Sequence, residues 1–141
     1  MSKRLRKAQY KLIEDELRFY HSTKKELMEK ELNVTLGAWH REYIDENQGG
    51  GSAGNISNEV EDRVMLLQMD KEIIRLKNII NAIESVLNRL NDEDKQLIQF
   101  RYWDRSKPTW VWIASKLNMD ESTARRRNKT IILSIAERLG Y

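Results

Sequence analysis

The chain has no cysteine, one proline, two histidines and six glycines in 141 residues. Without cysteine there is no disulfide scaffold, no thiolate zinc site and no thiol nucleophile. The lack of cysteine suits a cytoplasmic protein. The single proline, Pro108, leaves almost the whole chain free of the residue that most firmly stops a helix. His21 and His40 stand nineteen residues apart, which is no metal-ligand spacing. His21 lies among charged residues and reads as a surface side chain. No apolar run approaches the roughly 20 residues of a membrane span, and none reads as a signal-peptide core.

Motifs for chemistry are also missing. Glu14-Asp15-Glu16 and Asp92-Glu93-Asp94 are acidic runs, but adjacent residues point different ways on a helix. Gly49-Gly50-Gly51 has no strand before it and no Gly-Lys-Ser/Thr after it, so it is not a phosphate-cradling loop. No nucleophile motif is present. The expectation is a protein that is not an enzyme and takes no cofactor or metal.

What is present is charge and helical periodicity. A third of the residues are charged, yet 40% are hydrophobic, which is enough to build a core. The net charge of +3 is unevenly spread. Residues 1–32 carry 9 basic and 6 acidic side chains, 33–100 carry 7 and 12, and 101–129 carry 8 and 3. The last of these is the basic lobe, where a nucleic acid would sit.

Residues 3–32 read as one long helix. Ile13, Leu17, Tyr20 and Leu27 mark its apolar stripe, and Leu12, Phe19 and Met28 widen it. Asn33, Val34, Thr35 and Gly37 end it. Residues 47–58 form a Gly-rich linker. A second long helix spans 58–90. Leu66, Met69, Ile73, Leu76, Ile80, Ile83, Leu87 and Leu90 step alternately by three and four, an unbroken heptad seam. That seam pairs with residues 3–32 as a hairpin, with a second copy of the chain, or with both; a homodimer is expected.

Three shorter helices follow, at 92–103, 110–117 and 120–139. Asn91 and Asp92 offer a cap for the first, and Thr109 for the second. Of Trp110 and Trp112, one is expected in the core and one half exposed. Ile113, Ala114 and Leu117 share an apolar side. Asn118 suits a left-handed turn, Met119 plugs it, and Asp120 is placed to cap the last helix. That helix carries Arg125, Arg126, Arg127 and Lys129, while Ala124, Ile131, Ile135 and Leu139 form its apolar stripe; Gly140 ends it. This is a helix-turn-helix pattern, whose second helix reads the major groove. The candidate DNA-facing residues are Ser122, Arg125, Arg126 and Lys129. Arg127 shares a side with Ala124 and Ile131 and should turn partly inward.

Ile113-Ala114, Leu117, Met119, Thr123-Ala124 and Arg127 are spaced as in region four of bacterial sigma factors, with Asn118 in place of the turn glycine and Ala124 in place of a valine. A longer run of features includes Asp45-Glu46-Asn47 before three glycines, Arg101-Tyr102-Trp103, Thr109-Trp110 before Ile113-Ala114, and Ala136-Glu137-Arg138-Leu139-Gly140. Together with the long periodic helix, this resembles the RinA/ArpU-type phage transcriptional regulators of Gram-positive bacteria, over nearly the whole chain. The resemblance implies an activator of phage late genes.

The reading is an all-α protein. Residues 1–90 form a long-helix hairpin for oligomerisation, and 91–141 a sigma-region-four-like helix-turn-helix domain that binds double-stranded DNA to regulate transcription. Two alternatives belong to other classes: a partner of RNA polymerase or sigma factor, and a DNA-packaging subunit like the small terminase.

Overall fold

The computed structural model describes residues 4–47, 60–61, 64–65 and 70–141, with side chains described only to 37 in the first of these ranges. The expected Gly-rich linker, apart from Asn47, and the seam residues Leu66 and Met69 lie outside them. Among the described residues the structure is helical with no strand: α1 (Lys7–Arg18), α2 (Tyr20–Asn47), α3 (Lys71–Leu87), α4 (Asp92–Ile98) running into a π-turn (Gln99–Trp103), α5 (Trp110–Lys116) and α6 (Glu121–Arg138).

Two expectations about the first helix are corrected. It is interrupted at Phe19, which leaves helical geometry at φ −95°, ψ 13°. The Trp103 indole Nε1 donates to the Leu17 carbonyl at 2.9 Å, the acceptor that the His21 amide would use in an unbroken helix. Nor does the helix end near Asn33: α2 runs through Val34, Thr35 and Gly37 to Asn47. β-branched residues and glycine lower helix propensity by only about 1 kcal/mol or less each, and there is no proline to block the chain.

The chain divides into two compact units: α1, the start of α2 through His21 and residues Ile79–Tyr141 form one, and Ser22–Asn78 the other. The expected boundary at residue 90 therefore falls inside the first unit. The reason is α1, whose apolar face is not left for a hairpin partner. Ile13 and Leu17 are fully buried, and α1 packs against α6 and the π-turn. Tyr20 and Leu27 are buried as their spacing predicts, whereas Leu12, Phe19 and Met28 are exposed rather than widening the stripe.

In the first unit α6 is the central element, packed against α1, α4 and α5. Ile131, Ile132, Ile135 and Ala136 of α6 meet a core that includes Leu97, Ile98, Ile113 and Ala114. The end of α3 contributes Ile80, Ile83 and Val86 to the buried set. α3 stops at Leu87 rather than 90, tightening through Arg89 N–H to Val86 and Leu90 N–H to Leu87 carbonyls, each at 3.1 Å.

In the second unit Thr23, Leu27, Ile73 and Leu76 are buried. Asp70 caps α3 by accepting from the Glu72 and Ile73 amides at 3.0 and 3.2 Å. Lys77 reaches Glu31 at 3.2 Å. Met28, Leu32 and Leu36, four residues apart, remain exposed on α2. No helix among the described residues is long and apolar enough to cross a membrane.

Candidate nucleic-acid interface

The ends of α5 and α6 are set by local chemistry. Thr109 accepts from the Trp112 amide at 3.2 Å and opens α5. α5 closes with the Asn118 N–H on the Ser115 carbonyl (3.3 Å) and the Met119 N–H on the Ala114 carbonyl (3.0 Å). This paired closure needs a left-handed residue, and Asn118 supplies it at φ 53°. Asp120 stands at the cap position of α6 with extended backbone, but its side chain makes none of the expected capping hydrogen bonds. At the other end Gly140 (φ 90°) directs the Gly140 and Tyr141 amides onto the Glu137 and Ala136 carbonyls, each within 3.1 Å.

With both ends fixed, α6 has two faces. Ala124, Asn128, Ile131 and Ile135 are buried, at 3% exposure or less. Ser122, Arg125, Arg126 and Lys129 are all exposed. At the helical advance per residue they fall within an arc of about 100°. The four sequence-predicted residues thus share one outward strip. Arg127 turns away from it, to Asp94 at 3.4 Å and Glu93 at 3.5 Å on α4.

The cations differ in how they are held. Arg125 donates through Nε (3.0 Å) and Nη2 (2.8 Å) to Glu121 Oε1, one turn earlier. Its guanidinium also lies 5.8 Å from the Trp110 ring centroid. Arg101, on the π-turn, stacks against the same indole at 4.6 Å, and its buried Nε has no hydrogen-bond acceptor among the described residues. Among the described residues the Arg126 side chain makes a single hydrogen bond, a 3.4 Å contact to the Thr123 hydroxyl. Trp112 is exposed, edge-on to Phe100 at 5.2 Å, with Lys116 over its ring at 5.4 Å. Neither tryptophan is a core residue, contrary to expectation: Trp110 is half-buried. Each indole instead supports a cation.

Behind α6 lies a buried polar cluster that hydrophobic patterning did not anticipate. The Tyr102 hydroxyl sits 2.9 Å from Glu14 Oε2 and 2.8 Å from Asn128 Oδ1, and Asn128 Nδ2 is 3.4 Å from the Tyr10 hydroxyl. Asn128 and Tyr102 are 3% and 6% exposed. Burial, then the Glu14 charge, pushes the hydroxyls of Tyr102 and Tyr10 above their ordinary value, so both stay protonated. The cluster ties α1 and the π-turn to the buried side of α6. A signal was available in the sequence: Asn128 follows Ala124 by four, a polar residue inside an apolar stripe. His21 is exposed as expected, but it packs its ring 4.6 Å from Trp103.

A cleft of about 310 Å³ opens beside α6, floored by Val86, Leu90 and Ile131 and edged by Thr123, Arg126 and Thr130. Among the described residues no cluster of three or more metal-binding side chains occurs.

A family model described as "Protein of unknown function (DUF722)" matches residues 1–137. No curated protein and no solved structure matches the chain.

Proposed function

We propose, taking as premise that this chain belongs to the DUF722 family, that it is a sequence-specific regulator of transcription that reads double-stranded DNA through α6. The observation that carries this reading is the exposed strip of Ser122, Arg125, Arg126 and Lys129 on a helix whose opposite face is locked into a core. α5, the turn at Asn118 and α6 form the helix-turn-helix, and α6 is its recognition helix. Its early residues meet base edges, and Lys129, a turn further on, meets phosphate. The sigma-region-four spacing and the resemblance to RinA/ArpU-type regulators support a target among phage late promoters, with the chain acting as an activator in the bacterial cytoplasm.

Such regulators bind paired half-sites as dimers. The second unit, which holds most of α2 and the start of α3, supports this assignment. Its buried seam residues, Ile73 and Leu76, hold the unit itself, while Met28, Leu32 and Leu36 leave an apolar strip on α2 for a second copy.

The test is a set of binding isotherms at several salt concentrations, on a duplex selected by the chain from a randomised pool and on scrambled DNA. Lys129→Ala should weaken binding to both about equally and reduce the salt slope by about one. Equal affinity of wild type and a combined Arg125→Ala, Arg126→Ala, Lys129→Ala variant would remove α6 from the interface and favour a polymerase-binding role.

A further inference from the structure

We infer that Glu121 is a positioning residue that presents Arg125, and not Arg126, as the arginine that reads a guanine. This rests on the DNA-binding reading above and names the base-reading device within it.

An arginine has five N–H donors arranged as two usable edges. The side edge is formed by Nε and Nη2, and the end edge by Nη1 and Nη2. Glu121 Oε1 takes the side edge, from Nε at 3.0 Å and Nη2 at 2.8 Å. The two hydrogens of Nη1 and the second of Nη2 are left. That end edge is the fork that matches the O6 and N7 acceptors of guanine in the major groove. The Trp110 ring centroid lies 5.8 Å from the same guanidinium and 4.6 Å from that of Arg101. Arg125 is therefore held by two elements, α5 and α6, with its end fork taken by no acceptor among the described residues.

Arg126 has no such support. Its one side-chain hydrogen bond among the described residues is the long contact to Thr123, and it borders the cleft. An arginine whose rotamers are already restricted loses less freedom on binding, so its fork discriminates better for the same hydrogen bonds. The charge of Glu121 sharpens the inference. A carboxylate on the DNA-facing side of a helix repels phosphate and lowers affinity for every sequence. Holding Arg125 compensates on one sequence only, and the result is specificity.

Those two effects have opposite signs and can be measured separately. The full chain selects its site from a randomised duplex pool. Affinities for that duplex, for versions changed at one base pair at a time, and for scrambled DNA are then measured for wild type, Glu121→Gln, Arg125→Ala, the double variant of these two, and Arg126→Ala. Thermal unfolding checks that each is folded. Arg125→Ala should reduce discrimination at one G·C pair by roughly tenfold or more. Glu121→Gln should reduce discrimination at that same pair while binding scrambled DNA as well as wild type or better. In the Arg125→Ala background, Glu121→Gln should change discrimination no further. The inference is overturned if Glu121→Gln keeps wild-type discrimination, if it lowers discrimination equally with and without Arg125, or if Arg126→Ala abolishes the guanine preference and Arg125→Ala does not. A chain that enriches no sequence overturns the DNA-binding reading first, and the role of Glu121 with it.

Discussion

Replacing Tyr102 by phenylalanine isolates the polar cluster behind α6. The hydroxyl it removes lies 2.8 Å from Asn128 Oδ1, on an amide only 3% exposed. The other side-chain contact of that amide is the 3.4 Å approach to Tyr10. A buried polar group left without a good partner costs about 1–3 kcal/mol. Glu14, half-exposed, can exchange its lost bond for water. Tyr102→Phe should therefore destabilise by about 2 kcal/mol. Asn128→Leu costs less, about 1 kcal/mol, because Tyr102 still has Glu14 at 2.9 Å. The double variant removes both orphans at once, and apolar groups of similar shape replace both partners. It should be no less stable than Tyr102→Phe alone, a coupling of about 1 kcal/mol or more. Urea unfolding followed by tryptophan fluorescence is the assay, since Trp103, Trp110 and Trp112 all lie in this unit. If the two single effects add to within about 0.5 kcal/mol, the side chains do not act as one network and the argument fails.

Other outcomes follow from the same structure. Tyr102 keeps its proton when folded, so its contribution to stability is complete below its ordinary value near 10 and is lost as pH rises above it. From about pH 9 to 11 stability should fall by about 1.4 kcal/mol in total more in wild type than in Tyr102→Phe, measured by urea unfolding. Gly37 lies inside α2 with open space where a Cβ would stand, so Gly37→Ala should raise helix stability by about 0.5–1 kcal/mol in thermal unfolding followed by circular dichroism. Leu32→Asp, on the exposed strip of α2, should convert a dimer to a folded monomer in light scattering. A wild-type monomer at tens of micromolar would contradict the proposed dimer.

The sequence was most legible where structure is decided within a few residues. The Thr109 and Asn91 caps, the left-handed Asn118 and the closing Gly140 are all present in the folded chain. Each is a bond or a backbone angle between near neighbours, so no tertiary information is needed to find it. The outward strip of α6 was legible for the same reason, since helical period alone places Ser122, Arg125, Arg126 and Lys129 together. Partners distant in sequence were not legible. The stripe of Ile13 and Leu17 says that a face is buried but not against what, and it meets α6 and the π-turn rather than a hairpin neighbour. The break at Phe19 depends on Trp103, 84 residues away along the chain, claiming the Leu17 carbonyl. The contacts of Arg101 and Arg125 with the Trp110 ring likewise join three elements that only the fold brings together. Val34, Thr35 and Gly37 misled because propensity is a weak signal against a long helix with no proline in it.

Methylation interference tests the central claim, that α6 reads DNA in the major groove. Dimethyl sulfate marks guanine N7, in the major groove, and adenine N3, in the minor groove, so a single experiment reports which groove is occupied. The duplex selected by the full chain is methylated sparsely, bound, and separated into free and bound fractions. The account predicts that methylated guanines at one or more positions in each half-site are excluded from the bound fraction, and that Arg125→Ala abolishes the exclusion at one of them. Interference confined to adenines, or guanine interference unchanged in variants of Arg125, Arg126 and Lys129, would contradict it.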